Sequence, residues 1–345
     1  MVNSLYCTMF LARWQSTLLP FLREKCTMQT RNARESRRAK PTAGFSVIYQ
    51  DHHLLIVNKK PGIVIHPTYK HADDTMWNEL LDYVTELGDD GWRPPELPDE
   101  PEWTQAPPAV QEMLRQMRTK RLWDEEGLSP RPCLLHRLDK DTSGIVALAR
   151  TERSRRHIVR QFNDHTIMKR YLAVVQEGAA TWTKPLTDFA VTKRLASGDS
   201  IAVDRSFLFA ASGDEEYLLD GPIQRDPDDR RRCIVGEDGQ QAITQLKVCI
   251  TEHGYALLEV HPITGRTHQI RAHLAALGYA IVGDQLYAGP EISSQATLSR
   301  QFLHAYSLSF RRYPDNVLST FHAPLAEDLR TWLTKNFRAA LGYME

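Results

Sequence analysis

One stretch constrains the fold of this chain more than any other. Nine residues with five ionisable side chains, His136-Arg137-Leu138-Asp139-Lys140-Asp141-Thr142-Ser143-Gly144, run directly into the apolar pentapeptide Ile145-Val146-Ala147-Leu148-Ala149. A short unbroken apolar run reads as a buried strand. The charged block before it reads as a turn whose Asp, Thr and Ser bond their own backbone, or as a functional cluster at the mouth of a core. The surrounding pattern alternates. Residues 45–66 read as strands interrupted at Pro61-Gly62, with Ile63-Val64-Ile65 resuming an extended pattern. Residues 77–87 and 109–124 read as helices, 151–163 as a helix with Ile158 and Phe162 on one face, and Tyr171–Val175 as a strand. Ala242–Ile250 and Tyr255–Val260 read as a hairpin around Glu252-His253-Gly254. Residues 267–277 read as a helix ended by Gly278, and Pro324 opens a last helix with Leu325, Leu329, Trp332, Leu333 and Phe337 inward. Strands separated by short helices and hairpins imply an α+β fold with a mixed, mostly antiparallel sheet flanked by helices and loops.

Charge narrows the partners. The chain has 43 Lys+Arg and 43 Asp+Glu over 345 residues, which excludes a whole-molecule polycation but not a local basic surface. Residues 1–40 carry eight basic and two acidic residues, and the remainder is acidic by the same margin. Residues 1–42 therefore read as a basic, disordered arm. An organelle transit peptide and translation from Met28 are the alternatives. The expected location is cytoplasmic, or mitochondrial or another organelle if the arm is a transit peptide. No run approaches 18 apolar residues, so no membrane partner is expected. Five scattered cysteines without a C-x-x-C fit a reducing compartment better than a disulfide framework.

Several chemistries lack their usual patterns: there is no phosphate-binding G-x-x-x-x-G-K-[ST], no G-x-G-x-x-G after a strand, no H-E-x-x-H and no G-x-S-x-G. No nucleotide cofactor and no metal are expected. His268 and His273 lie about 140° apart round a helix, which does not make a metal pair. A second segment does stand out, Gly265-Arg266-Thr267-His268-Gln269-Ile270-Arg271-Ala272-His273-Leu274. Ile270, Leu274 and Leu277 form its apolar stripe, and His268 and Arg271, three apart, share a neighbouring face. A helix N-terminus beside Arg266 suits an anion such as phosphate, and an ordinary amphipathic helix with a basic rim is the plain alternative.

Together these segments resemble the pseudouridine synthases of the ribosomal-large-subunit (RluA) type. Asn58–Pro67 is similar to the family's first motif, His136–Gly144 to its catalytic H-R-L-D-x-x-T-S-G, and Lys169-Arg170-Tyr171-Leu172-Ala173 to its K-x-Y-x-A strand. Gly265–Leu274, continued by Gly278 and Val282–Tyr287, is similar to the third motif, and Leu303-His304-Ala305 and Phe321–Leu325 to the usual tail. The resemblance spans about residues 43 to 335 and implies a catalytic domain over 43–345, with insert-like regions at 68–132 and 193–219 and no S4-type domain.

The resemblance implies isomerisation of uridines in structured RNA (ribosomal or transfer RNA) without a cofactor. The N1–C1′ bond breaks and C5 joins C1′. Asp139 is then the essential carboxylate, either attacking C1′ or removing the C2′ proton. Both roles need its ionised form, which burial disfavours and a nearby cation restores. The resemblance makes that cation Arg271. Tyr171 is placed against the target base, where it can stack, bond or shuttle a proton. Ile270 packs on base or sugar, Arg137 fills the gap of an extruded base, and Arg266 takes a backbone phosphate. His136, Thr142, Gly144, His268 and Gln269 support the motifs. Residues 131–171 hold ten Lys+Arg against four Asp+Glu, and Arg155, Arg156 and Arg160 on the following helix are expected to track RNA. A monomer is expected. Two alternatives stand beside this reading: an RNA-binding or ribosome-assembly protein in which catalysis is secondary, and a glycosidase using Asp139 with Asp141. Two residues apart on a turn, that pair lacks the opposed geometry of glycosidase carboxylates.

Overall fold

The computed structural model describes residues 44–67, 71–96, 99–101, 103–178, 189–195, 197–210, 215–288 and 298–337. The basic arm lies outside them. The chain starts as a hairpin of β1 (Phe45–Gln50) and β2 (Leu54–Lys59), followed by helices α1 (Met76–Leu87) and α2 (Pro108–Glu126). Then come β3 (Cys133–Leu134), β4 (Ser143–Ala149), α3 (Glu152–Asn163) and β5 (Met168–Gln176). Strands β6 (Ala190–Arg194), β7 (Ser200–Ala202) and β8 (Glu216–Asp220) form an outer edge, with β9 (Ile223–Arg225) and β10 (Cys233–Val235) as a separate ribbon. The long hairpin β11 (Ile243–Glu252) and β12 (Tyr255–Pro262) leads to α4 (Gln269–Ala276). Strands β13 (Leu303–Arg311) and β14 (Leu318–His322) precede the last helix, α5 (Glu327–Asn336).

Twelve of these strands make one sheet, in the order β1-β2-β4-β13-β5-β12-β11-β8-β6-β7, with β3 on β4 and β14 on β13. The α+β class and the mostly antiparallel sheet follow the expectation. Its one parallel ladder among the described residues is β4 with β13, through His304–Ser143 and Ala305–Gly144. β4 is buried on two faces, which is why Ile145–Ala149 reads as a continuous apolar run. Along β4, Val146 and Leu148 enter the main core, while Ile145 and Ala147 face the opposite cluster. Ile158 and Phe162 of α3 cover that second cluster, and Leu329, Trp332 and Leu333 of α5 cover the first. Each such side chain contributes roughly 1.5–3 kcal/mol through burial.

Two local expectations are corrected. Ile63–Ile65 is not a strand: the carbonyls of Val64 and Ile65 accept the Met76 and Trp77 amides, so the segment closes the first turn of α1 instead of joining the sheet. The last helix begins at Glu327, because Ala323 is still bonded through its amide to Tyr306 on β13 and Ala326 serves as N-cap. The insert-like region 68–132 is also not wholly peripheral. Met76 and Leu80 of α1 are fully buried in the main core, whereas α2 buries none of its residues.

Candidate active site

Asp139 occupies the loop ahead of β4, and three fastenings hold that loop. Thr142 donates its amide to the Asp139 carbonyl (3.2 Å), closing a turn. Lys59, at the end of β2, donates through Nζ to the carbonyls of Lys60 (2.9 Å), Lys140 (2.8 Å) and Thr142 (3.0 Å). Burial draws its pKa down to about 7, yet three carbonyl acceptors call for the three N–H groups of an ammonium. Arg300 donates through Nη1 to the Asp141 carbonyl (3.0 Å) while its fork pairs with Asp328 on α5 (2.6 and 2.8 Å). Gly144 permits the close β4–β13 approach. Its φ is +119°, and a Cβ there would collide with the Ala305 carbonyl.

His136 is a structural member of this loop. Its Nε2 accepts the Ala147 amide (3.1 Å), which requires an unprotonated nitrogen, and burial pushes its pKa down to about 3. Thr142 is buried, and its hydroxyl accepts from Gln301 (3.3 Å).

The second segment meets Asp139 from α4, all of whose residues are buried. Arg271 donates from Nη1 to Asp139 Oδ2 (3.3 Å), across 132 residues of sequence. The rest of its guanidinium forms a two-point bond with Asp284, Nε–Oδ2 at 2.6 Å and Nη2–Oδ1 at 2.9 Å, and its Cζ lies 4.9 Å from the centre of the Tyr287 ring. Burial works against the Arg271 charge, but the bonds and charge of Asp284, with the charge of Asp139, outweigh it and raise its pKa. The cation beside Asp139 is thus aimed by a second, fully buried carboxylate.

His268 precedes α4 in the left-handed conformation (φ 55°) with Nε2 3.8 Å from Asp139 Oδ2 and Nδ1 3.1 Å from the Tyr287 hydroxyl. Burial lowers its pKa, against the pull of Asp139. Gln269 ties the approach to β11. Its Oε1 accepts the Thr264 hydroxyl (2.7 Å) and the Arg266 amide (2.9 Å), and its Nε2 donates to the Ile243 carbonyl (2.9 Å).

Two cavities open on either side of this centre. One, about 340 Å³, is lined by Phe162, Lys169, Tyr171, Ile270 and Leu303. The other, about 380 Å³, is more polar and is lined by His66, Lys140, Asp284, Gln285 and Arg300. Arg137, Leu138, Asp139, His268 and Arg271 line both, and each volume is of the size that takes a small ligand. Tyr171 sits in mid-sheet between Val260 on β12 and Ala305 on β13. Burial, then the Asp139 charge, raises its pKa, so its hydroxyl keeps its proton. Arg137 is exposed beside Asp139, and Arg266 lines the Tyr171 cavity. Among the described residues no three His, Cys, Asp or Glu side chains converge as metal ligands would.

The helix arginines lie elsewhere. Arg155 forms a two-point bond with Glu152 (2.7 and 2.7 Å), and Arg156 pairs with Glu152 (3.3 Å) and with Glu125 at the end of α2 (3.5 Å). Neither lines the cavities, and Arg160 is exposed on the last turn of α3. Sequence reasoning gave no role to Asp284, Lys59, Lys169 or Arg300. Asp284 had a visible sign: it is a lone charge ending the apolar run Ala280-Ile281-Val282-Gly283, and a buried charge demands a partner.

The family model described as RNA pseudouridylate synthase matches residues 53–276, which takes in both halves of this centre. The chain belongs to the RNA pseudouridylate synthase family. Its reaction is the isomerisation of uridine to pseudouridine within RNA. The ribosomal large subunit pseudouridine synthase D of Xanthomonas campestris is 30% identical over 296 residues, which is 83% of this chain and 67% of that one. An uncharacterized RNA pseudouridine synthase of Chloroflexus aurantiacus is 33% identical over 273 residues, 79% of this chain and 63% of that one. Among solved structures, human RNA pseudouridylate synthase domain containing 4 aligns over 84% of this chain and 92% of its own, with 19% identity and a TM-score of 0.47.

Proposed function

We propose that this pseudouridine synthase acts on uridines of ribosomal RNA, with Asp139 as the carboxylate on which the reaction turns. The observation that carries the reading is the Asp139–Arg271 contact of 3.3 Å, with Arg271 locked on Asp284, at the rim of a cavity floored by Tyr171 and Ile270. Cleavage of N1–C1′ develops positive charge on the ribose, and Asp139 faces it. The carboxylate then either adds to C1′ or takes the C2′ proton. In the first route the Asp139–C1′ bond breaks as C5 joins C1′; in the second, Asp139 returns the proton to C2′ as C5 joins C1′. In both, C5 then loses its proton and N1 gains one, so the sum is an isomerisation. Tyr171 and Ile270 pack against the base, and Arg137 occupies the space the base leaves in the RNA. Unstacking costs a few kcal/mol, and a planar guanidinium offsets part of it. The choice of ribosomal RNA rests on the name of the Xanthomonas relative.

The test is to map pseudouridines in cellular RNA with and without the gene, and in cells carrying Asp139→Asn. Loss of specific large-subunit ribosomal sites in both the deletion and the mutant is expected. Full modification by purified Asp139→Asn protein would refute the role of Asp139, and loss confined to transfer RNA would refute the choice of substrate.

A further inference from the structure

The buried or half-buried cations near the site are compensated with one exception. Arg271 has two carboxylates, Arg300 has Asp328, and Lys59 has three carbonyls. Lys169, two residues before Tyr171 on β5 and lining the same cavity, has none of this. Its Nζ donates to a single acceptor, the Thr264 carbonyl (2.9 Å), and among the described residues no carboxylate lies within 4 Å of it. Among the described residues the only carboxylate lining that cavity is Asp139, which Arg271 already engages.

The backbone opposite Lys169 is open. A Cβ on Gly265 would meet only Lys169 Nζ, at 3.9 Å, whereas one on Gly144 or Gly283 would collide with backbone. Next along the chain, Arg266 is held through its amide by Gln269 and through Nε by the Gln241 carbonyl (3.1 Å), which leaves the outer edge of its guanidinium uncommitted.

We propose that Lys169, the bare backbone at Gly265 and Arg266 form a seat for one phosphodiester of the RNA, next to the nucleotide being isomerised. The seat rests on the isomerase reading and assigns Lys169 a part in substrate binding. An ammonium with one acceptor in a partly desolvated wall gains most from an anion. Burial alone draws the Lys169 pKa down to about 8, and an arriving phosphate restores its charge. A glycine lets a phosphate approach the main chain closely, and the neighbouring guanidinium supplies a second positive edge. A uracil carbonyl is the competing occupant; being neutral, it would leave both cations without a counter-charge.

The probe is a short synthetic RNA spanning a uridine whose modification in cells is lost with the gene, made also with a single uncharged methylphosphonate linkage at each position around that uridine. Product formation by the wild type is read first, and its absence refutes the isomerase reading itself. Binding is then titrated separately at several salt concentrations. One methylphosphonate position should weaken wild-type binding about tenfold. Lys169→Met should weaken binding of the unmodified RNA by a similar factor, lower the salt slope by about 0.7–0.9, and show no further loss at that one position. Lys169→Arg should retain most of the salt slope. If no single linkage matters to the wild type, or if each linkage costs Lys169→Met as much as the wild type, the seat does not exist. The wild-type scan decides the matter even if Lys169→Met fails to fold.

Discussion

At the residue scale the site depends on how one guanidinium is divided. Arg271 gives two of its nitrogens to Asp284 and a third to Asp139. A lysine at that position keeps the charge but has no rigid fork, so it cannot hold both carboxylates in fixed geometry. Arg271→Lys is expected to fold and bind RNA while kcat falls about a hundredfold, the scale on which a misplaced catalytic group costs; single-turnover kinetics would check it. Asp284→Asn removes the charge behind the guanidinium. It should cost about 3 kcal/mol of stability, measured by denaturant titration, and lower kcat although Asp284 need not touch the RNA. Retention of both quantities in Asp284→Asn would show that Asp139 alone orients Arg271. The Asp139–Arg271 pairing was legible from the resemblance because both lie inside recognisable motifs. The Asp284 clamp was only half legible: a charge ending an apolar run inside Val282–Tyr287 asks for a partner, but no periodicity marks which side chain it meets across the loop.

At the element scale, amphipathic helices and two-face-buried strands were legible because their periodicity is a direct record of what they touch. α1, α2, α3 and the β11–β12 hairpin lie where the pattern placed them, within a few residues at each end. Ile63–Ile65 misled because apolar alternation says nothing about where carbonyls find donors, and here the donors are the first amides of α1. Composition shows a basic face on α3, but not that Glu125 arrives from α2 to pair with Arg153 and Arg156. The β4–β13 ladder is the element on which the site most depends. Gly144→Ala combines a positive φ with a collision against the Ala305 carbonyl. A loss of roughly 3 kcal/mol or more is expected, together with loss of activity, since the Asp139 loop starts at that ladder. Equilibrium unfolding monitored by tryptophan fluorescence would check it, and wild-type stability would contradict the tight β4–β13 approach.

At the scale of the whole molecule, acid stability follows from histidines buried in neutral form. His304 Nε2 donates to the Ala323 carbonyl (3.3 Å) and its Nδ1 accepts the Ser143 hydroxyl (2.9 Å). His273 Nε2 donates to the Gly221 carbonyl (3.0 Å), and its Nδ1 accepts the Thr244 hydroxyl (2.9 Å). Burial draws both from 6.5 to about 4, and His136 to about 3. As pH falls through 6.5 the unfolded chain takes up these protons while the folded chain does not. Their contribution is therefore complete above pH 6.5 and is lost progressively down to about pH 4. Denaturant midpoints should fall steeply below pH 6, with a histidine slope reporting about three protons, and His304→Gln should remove about one of them. A midpoint independent of pH between 6.5 and 4.5 would contradict the burial of these rings.

The Asp139 loop is fastened by residues drawn from nearly the whole length of the described chain: Lys59 from the first hairpin, Arg271 from α4, Arg300, and behind Arg300 the carboxylate of Asp328 on the last helix. During synthesis Lys59 and the carboxylate emerge from the ribosome long before the other groups that hold the loop. A partial chain ending before residue 328 therefore lacks at least the carboxylate that aims Arg300 at this loop.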